Sequence, residues 1–438
     1  MRKKLILSAF KQSALCLLYL LFGIIYKIMQ TTNGTYAFQG IALTDLATQY
    51  GTPLYVYNSE KILSQYKRLH NAFSGVDVRI KYAAKALTNQ AILKLLRGAG
   101  AGVDVVSIQE LELALKAGFK ASDIMFTPNC VDFSEIVEAV THGVQINIDN
   151  LPFLAQFGQK YGNTVPCCVR INPHIDAGGN LKIMTGHKGS KFGISIEQVN
   201  QIYEIVDEYE ISVNGVHVHS GSDFKNADAF VRAAEVVYSV AMQFDTLTFL
   251  DFGSGFKVAY KEGDYVTNIE ELGKKMSDSF NAFCVNYGKK LDIWFEPGKF
   301  LVSESGMLLV SCTVIKETPA CNFIGVNSGL NHLIRPMMYG SHHDIVNVSN
   351  PKGDKRMYTV VGYICETDTF GSDLFIEETN VGDVIGLKNA GAYGFSMSSN
   401  YNSRFRPAEV LVHNGKHQLI RKRETMEDLL KNQIDIEL

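Results

Sequence analysis

Lys85 is the residue whose type and position in this sequence most strongly suggest chemistry. It ends a strand-like run that begins at Val78, and a polar turn at residues 88–90 then opens a helical stretch. In the first unit of a parallel barrel, a residue at that point lies at the mouth, where barrel enzymes carry their active sites. A lysine held among apolar neighbours loses its proton more easily and can form a Schiff base. Because a single lysine is more often a solvated surface residue, the prediction depends on the groups around it.

Two glycine turns supply the second part of the pattern. Gly253-Ser254-Gly255 follows the seventh strand-like run, and Glu296-Pro297-Gly298 follows the eighth. Glycines allow backbone N–H groups to approach an anion closely, and barrels commonly bind phosphate with the loops after strands seven and eight. A lysine opposite such a phosphate site predicts pyridoxal phosphate, whose ring is an electron sink. Glu296 is the candidate carboxylate for the ring nitrogen.

Two histidines precede these turns. His217 and His219 alternate along the sixth strand-like run, so their side chains share a face, and His219 lies nearer the mouth. We expect His219 to cover the flat ring of the cofactor. A metal pair is conceivable, but no carboxylate or third histidine at ligand spacing supports it, so we predict no metal.

The elements that must position these residues alternate between strand and helix. Ser107 and Glu110 have the pattern of a capping box that opens one helix, which Gly118 closes. About eight such repeats predict a closed (β/α)8 TIM barrel. An open doubly wound sheet is the alternative, and the first unit lacks the Gly-x-Gly-x-x-Gly motif that would favour it. The predicted strands are 78–84, 102–106, 123–127, 144–149, 166–172, 212–219, 247–252 and 291–296.

After about residue 305 the alternation stops and an all-β region begins. We predict a C-terminal β-sandwich or β-barrel-like domain whose sheet is joined by the strand near Pro53. Its predicted strands are 307–315, 322–326, 356–363, 384–387 and 408–413. The predicted organisation is a signal-like or non-native extension over 1–28, a segment joining the β domain over 29–57, the barrel over 58–305 and the β domain over 306–438.

Composition narrows the class of protein. The chain has 438 residues and a formal net charge of −3, which gives no reason to expect nucleic acid. Its eight cysteines include no Cys-x-x-Cys pair, as expected of a reduced, cytoplasmic enzyme. Residues 14–26 are almost wholly apolar but short for a membrane span, and no small-residue cleavage site follows. We expect translation to start naturally at Met29 and no stable membrane association.

Seven short motifs lie at strand ends or in the β region: Tyr82-Ala83-Ala84-Lys85-Ala86, Gly215-Val216-His217-Val218-His219, Gly253-Ser254-Gly255-Phe256, Glu296-Pro297-Gly298-Lys299, Arg335-Pro336-Met337-Met338-Tyr339, Cys365-Glu366 and Gly391-Ala392-Tyr393. Together they resemble the alanine-racemase-like, fold-type III pyridoxal phosphate enzymes, and most closely the diaminopimelate decarboxylase family. The resemblance covers about residue 50 to the end of the chain. It implies a homodimer with active sites completed across the interface, and decarboxylation of meso-diaminopimelate to L-lysine and carbon dioxide.

The resemblance also implies a role for each matching residue. Lys85 would hold the cofactor, His219 would stack on its ring, and Glu296 would contact the pyridinium nitrogen. Cys365, as proton donor, would come from the partner subunit together with Glu366, which would face the distal amino group of the substrate. The residues implied around the cofactor phosphate are Ser222, Ser254, Gly255, Gly298 and Tyr393. Those implied to bind the distal carboxylate of the substrate are Arg335, Tyr339 and Lys299. Two residues have a second implied role: Lys299 also belongs to the predicted cofactor site, and Tyr393 also belongs to the predicted substrate site.

The sequence departs from the family pattern in three places. Ser254 replaces the middle residue of a usual triple glycine, Lys299 replaces a usual arginine, and the loop after Glu366 is shortened by one residue. A lysine keeps the positive charge but loses the two-pronged geometry of arginine.

Three alternatives stay open. A related decarboxylase would act on ornithine, arginine or carboxynorspermidine, but the first two lack a distal carboxylate for Arg335. A racemase fits the pair Cys365-Glu366 less well. A non-catalytic pyridoxal phosphate binder is a different class, which usually lacks the β domain or has lost a catalytic residue.

Overall fold

Eight parallel strands close into a barrel, as predicted. Each strand pairs with the next and the eighth pairs with the first, so the open-sheet alternative is wrong. In order, the barrel strands are Val78–Ala83, Gly102–Val105, Ile124–Phe126, Gln145–Ile148, Cys167–Asn172, Val213–Val218, Phe249–Asp251 and Asp292–Phe295.

The structure is a computed structural model that describes residues 34–175, 185–219, 221 and 227–438. The expected extension over residues 1–28 and the predicted phosphate ligand Ser222 lie outside the described residues.

Side chains fill the barrel interior below the carboxyl ends of its strands. The rings of Phe249 and Trp294 stack with their centroids 3.6 Å apart, and Lys81 Nζ lies 4.2 Å from the centroid of the Trp294 ring. A Cβ atom on Gly215 would lie 2.2 Å from the Phe249 ring, so only glycine fits there. Because this layer is packed, the accessible part of the interior lies at the carboxyl ends, as in other TIM barrels.

Helices cover the outside of the barrel with their apolar faces. In the helix after the first barrel strand, for example, Ile92, Leu93 and Leu96 are buried. Within the described ranges, no helix combines the length and the apolar character that a membrane span requires. The described helices are Leu43–Tyr50, Ser59–Ala72, Gln90–Gly98, Ile108–Lys116, Phe133–Thr141, Leu151–Tyr161, Val199–Glu208, Ala227–Ala241, Ile269–Tyr287, Lys299–Val302, Arg335–Tyr339 and Met426–Leu430.

The predicted capping box at Ser107 forms only in part. Ser107 Oγ accepts a hydrogen bond from the N–H of Glu110 at 3.2 Å, as expected. The Glu110 carboxylate accepts instead from the N–H of Val106, at 3.0 Å, which is one residue earlier than a capping box requires. Gly118, with φ +90°, follows the end of this helix.

A second, mixed sheet forms the β domain. Its long strand Gly306–Glu317 pairs with Leu54–Asn58, the strand that precedes the barrel, so the predicted joining of that strand is confirmed. Leu54–Asn58 also runs parallel to Ala408–His413. The remaining strands are Asn322–Val326, Ile345–Asn347, Lys355–Val361, Thr369–Glu377, Val384–Leu387 and Lys416–Arg421.

Three of these β-domain strands were not predicted: Ile345–Asn347, Thr369–Glu377 and Lys416–Arg421. The second contains Asp373 at φ +53°, an irregularity that breaks its alternation. The third is a largely exposed edge strand with little apolar pattern. Each of the three pairs with only one neighbouring strand, so local patterns identified the central strands better than the edges.

Candidate active site

Lys85 lies on a short 3-10 turn, Ala84–Ala86, directly after the first barrel strand. Its Nζ is 3.3 Å from Asp104 Oδ2, and its side chain is 44% exposed, toward the cavity that it lines. Burial acts to lower the pKa of Lys85, but Asp104, followed by Tyr393 and Glu296, raises it above its ordinary value. The prediction of an easily deprotonated lysine among apolar neighbours is therefore wrong, because a buried carboxylate pairs with the ammonium group.

A cavity of about 390 Å³ opens at the carboxyl ends of the barrel strands. This volume lies within the range of small-molecule sites. The cavity brings together most of the predicted cofactor residues: Lys85, His219, Ser254, Gly255, Glu296, Gly298, Lys299 and Tyr393.

The glycine turn after the seventh strand shapes one wall of this cavity. Gly253 has φ +60°, and a Cβ atom there would lie 2.5 Å from His219 Nδ1. Ser254 N–H donates to the same Nδ1 at 3.2 Å, so that nitrogen carries no proton. Burial, followed by the charge of Arg170, lowers the pKa of His219 to about 3. His219 is therefore a neutral ring held against the turn.

Glu296 begins the turn after the eighth strand. Its N–H donates to Gly253 O at 2.6 Å, which joins the two glycine turns. Its Oε2 lies 3.1 Å from His217 Nε2, while its buried Oε1 has no hydrogen-bond partner among the described residues. The structure also places Asp251 beside His217. The expectation that no carboxylate accompanies His217 is therefore wrong, since Asp251 and Glu296 come from separate strands.

The β domain contributes Tyr393 to the wall of the cavity at the barrel mouth. Tyr393 N–H donates to Ala86 O at 2.9 Å, next to Lys85. A Cβ atom on Gly298 would lie 3.3 Å from the Tyr393 hydroxyl, so this hydroxyl borders the second glycine turn. Close approach of the segment requires Gly391, where a Cβ atom would lie 1.8 Å from Val302 O.

Arg335 is buried near the β-domain side of the mouth but does not line the cavity. Its Nη2 lies 3.5 Å from the hydroxyl of Tyr260 and 3.4 Å from Ser341 Oγ. Its buried Nε has no partner among the described residues. Tyr339 ends the same short helix and is half-buried. The guanidinium group is thus oriented but incompletely paired, which suits an anionic ligand.

Cys365 and Glu366 lie apart from the cavity and are exposed. Cys365 Sγ is 3.5 Å from Glu366 Oε2, and the hydroxyl of Tyr401 donates to Glu366 Oε1 at 2.5 Å. This chain therefore does not bring Cys365 or Glu366 to its own Lys85.

Sequence reasoning missed several residues of the cavity wall, and it missed Asp104, which pairs with Lys85 beside the cavity. Asp104 and Arg170 lie inside apolar strand runs near their carboxyl ends, and a charged residue in such a place was the signal available. Both are buried, and Arg170 lies over the ring of Phe192 at 4.8 Å. The other missed lining residues are Val106, Thr127, Asn129, Thr185, Lys191 and Phe192.

The groups present fit pyridoxal phosphate. The unpartnered Glu296 oxygen is placed to accept from a protonated ring nitrogen, and Lys85 offers the amine. The N–H groups of Gly255 and Phe256 donate to no acceptor within the described chain, as a phosphate cradle requires. Fold and site together define a barrel enzyme of the pyridoxal phosphate class.

Comparison with known proteins narrows this class. Residues 59–303 match the model of a protein family described as "Pyridoxal-dependent decarboxylase, pyridoxal binding domain". The diaminopimelate decarboxylase of Methanothermobacter thermautotrophicus is 37% identical over 90% of this chain and 94% of its own length. That of Aquifex aeolicus is 34% identical over 93% and 98%. The chain belongs to the diaminopimelate decarboxylase family of pyridoxal-dependent decarboxylases, which confirms the predicted family and cofactor.

Solved structures agree with this assignment. The crystal structure of the Methanocaldococcus jannaschii diaminopimelate decarboxylase matches with a TM-score of 0.86 and 30% identity over 94% of this chain and 98% of that one. The Helicobacter pylori enzyme, determined in complex with L-lysine, matches with a TM-score of 0.82 and 31% identity over 89% and 98%. The predicted barrel-plus-β-domain fold is confirmed.

Proposed function

We propose that this protein decarboxylates meso-2,6-diaminopimelate to L-lysine and carbon dioxide with pyridoxal phosphate. The observation that carries the proposal is the single cavity shared by Lys85, both glycine turns and the unpartnered oxygen of Glu296. Relatives over most of the chain are named diaminopimelate decarboxylase, and two solved relatives hold L-lysine, the product of the proposed reaction.

Pyridoxal phosphate supplies an electron sink for the pair of electrons released when the carboxylate is lost. Lys85 holds the cofactor, and Asp104, 3.3 Å from its Nζ, is the base at hand to take the lysine proton. Glu296 would accept from the ring nitrogen through its unpartnered Oε1, and His219, which lines the cavity as a neutral ring, would cover the cofactor without adding charge. Ser254, Gly255, Gly298 and Tyr393 line the cavity and would hold the phosphate, together with Ser222 as the family resemblance implies.

The substrate is held through its distal carboxylate. Arg335 offers a planar fork to this group, and its unpartnered, buried Nε supports that role. Tyr339, Lys299 and Tyr393 complete the contacts, with Lys299 contributing charge rather than a bidentate contact.

Two further groups are supplied by a second copy of the chain. Cys365 delivers a proton to the carbon that has lost carbon dioxide, and Glu366 faces the distal amino group. Both are exposed and lie outside the cavity of their own chain, which supports a homodimer with shared active sites. The cofactor-binding domain spans 58–305, and the segment 29–57 belongs with the β domain of 306–438. The enzyme works in the cytoplasm on a small amino acid.

Related decarboxylases are the nearest alternative. Ornithine and arginine have no distal carboxylate to pair with Arg335, whose side chain is buried at 7% exposure. Charge does not separate carboxynorspermidine from diaminopimelate. A non-catalytic binder of the cofactor would have no need of Lys85, Cys365 and Glu366 together.

Release of carbon dioxide from each candidate amino acid tests the proposal. The purified full chain with pyridoxal phosphate should act on meso-diaminopimelate and yield L-lysine in equal amount. Faster turnover of carboxynorspermidine, ornithine or arginine would reassign the substrate. No release from any of them, with the cofactor bound, would leave the chain a binder rather than an enzyme.

A further inference from the structure

His217 is buried behind the cavity and has no part in the reaction proposed above. Its side chain has 0% exposure, and it does not line the cavity. It lies on the sixth barrel strand beside Asp251 on the seventh, and Glu296 follows the eighth. One ligand-type atom from each of the three side chains lies within 4.8 Å of the others. Burying ionisable groups costs folding free energy unless they pair, so three of them at one buried place indicate a functional role.

The three side chains form a row that runs from one glycine turn to the other. At one end, Asp251 Oδ1 accepts from the N–H of Gly253 at 2.8 Å. At the other end, His217 Nε2 lies 3.1 Å from Glu296 Oε2. The outer oxygen of Glu296, Oε1, is left without a partner among the described residues, as are His217 Nδ1 and Asp251 Oδ2. The row therefore includes an unpartnered oxygen on Glu296, a residue that lines the cavity.

The two acids of the row experience opposite effects on their charge. Burial, followed by the charge of Glu296, raises the pKa of Asp251. Burial also opposes the ionised form of Glu296, but His217, by charge and by its hydrogen bond, and then Lys85 hold the pKa of Glu296 below its usual range. Burial and Glu296 therefore disfavour charge on Asp251, whereas His217 and Lys85 favour charge on Glu296. Other titratable groups around the row are Lys81, Asp104, Cys168, Arg170 and His219.

We propose that His217 is a positioning residue that donates its Nε2–H to Glu296 and so keeps the free carboxylate oxygen ionised and aimed at the ring nitrogen of the bound cofactor. Asp251 is its neighbour and ties the row to the glycine turn at Gly253. The inference rests on the proposed function, because it assumes that Glu296 serves the ring nitrogen. It assigns no contact between His217 and the cofactor or substrate.

A cofactor analogue isolates this role. In 1-deazapyridoxal phosphate a C–H group replaces the ring nitrogen, so Glu296 loses its partner. We expect the full-length wild-type chain to bind pyridoxal phosphate about tenfold to a hundredfold more tightly than the analogue, the value of one hydrogen bond to a charged group. In Glu296→Gln most of this preference should disappear. Equilibrium titration of the full chain with each compound measures it without any turnover.

Two substitutions of His217 distinguish positioning from packing. The amide nitrogen of glutamine reaches roughly as far as Nε2, whereas that of asparagine does not, so His217→Gln should retain most of the preference and His217→Asn should lose most of it. His217→Asn should also lower kcat more than it raises KM. Full retention of the nitrogen preference in His217→Asn would overturn the inference, as would a divalent metal ion bound in stoichiometric amount through His217.

Asp251→Asn keeps the test decisive if a His217 variant fails to fold, which thermal unfolding would show. An amide oxygen can still accept from the N–H of Gly253 as Asp251 Oδ1 does, so Asp251→Asn should preserve the nitrogen preference that Glu296→Gln loses. Equal losses in both variants would overturn the inference. Failure of the proposed function looks different: the wild type would then release no carbon dioxide from meso-diaminopimelate. Normal turnover with a nitrogen preference insensitive to His217 would reject this inference alone.

Discussion

The barrel mouth and the loop that carries Cys365 and Glu366 differ in where their polar side chains lie relative to the cavity. In the mouth, Lys85 pairs with Asp104 at 3.3 Å within one chain. On the loop, Cys365 and Glu366 are exposed and lie away from the cavity. The mouth thus gathers its polar groups around one cavity within a single chain, whereas Cys365 and Glu366 do not line that cavity.

The loop is nevertheless held in place. Asp368 Oδ1 accepts from the N–H of Leu330 at 2.8 Å, and its Oδ2 accepts from the N–H of Ile364 at 3.1 Å. The hydrogen bond from Tyr401 lowers the pKa of Glu366. An exposed pair that is nonetheless fixed is suited to docking against a second subunit. From this difference we expect that one chain is sufficient to bind the cofactor, whereas turnover requires two chains.

The largest expected effect lies in the mouth. Lys85→Ala should lower carbon dioxide release by at least about a thousandfold, because the group that holds the cofactor is lost. After borohydride reduction, mass spectrometry should find no cofactor attached to the variant chain. Lys81→Met is the matched control, since Lys81 lies on the same strand but below the cavity. A Lys85→Ala chain that still carries the reduced cofactor would contradict the assignment.

The second-largest effect is expected at the loop that carries Cys365. Cys365→Ala should lower carbon dioxide release by about a hundredfold to ten-thousandfold, the usual value of a positioned proton donor, with cofactor affinity unchanged. Cys130→Ala is the control, because Cys130 is also an exposed free cysteine.

Mixing the two defective chains tests the division of labour directly. Lys85→Ala and Cys365→Ala chains, exchanged at random, should recover roughly a quarter of the wild-type rate, because half of the dimers are mixed and each has one intact site. No recovery, with subunit exchange demonstrated by mass spectrometry, would place both residues in one chain's site and break the comparison.

Substrate binding gives a smaller effect. Arg335→Lys should lower kcat/KM for meso-diaminopimelate by about tenfold, because a point charge replaces the bidentate fork. Cofactor affinity should not change. Arg356→Lys, an exposed arginine paired with Glu378 on the β sheet, should behave like the wild type. An equal loss in both variants would remove the substrate role of Arg335.

The last prediction concerns the stability of the fold at acid pH rather than turnover. Burial lowers the pKa of His332 to about 4, and its neutral ring contacts Ser328 Oγ and Phe405 O, both at 3.0 Å. The unfolded chain binds that proton near pH 6.5, so the stabilisation is complete above about 6.5 and is lost as the pH falls toward 4. Between pH 7 and 5 we expect the free energy of unfolding to fall by about 2 kcal/mol through this residue. Denaturant unfolding of His332→Gln should show a smaller loss, and an identical pH slope would contradict the assignment.

Local sequence patterns were sufficient for much of the fold and part of the site. Alternating strands and helices predicted the barrel, since buried parallel strands and amphipathic helices each have their own period. Glycine turns and Lys85 were predicted at the mouth because the ends of neighbouring parallel strands meet there. The exposed edge strand Lys416–Arg421 carries no such signal, and it was missed.

Contacts between distant segments were decided only by the tertiary structure. Closure of the barrel sets Asp104 against Lys85 and holds the lysine charged, and it gathers His217, Asp251 and Glu296 from three strands. No local pattern can report such neighbours, because the interaction of buried charges depends on distance and burial rather than on position along the chain. The sequence by itself determined which groups are available at the mouth, and folding determined which of them carry charge.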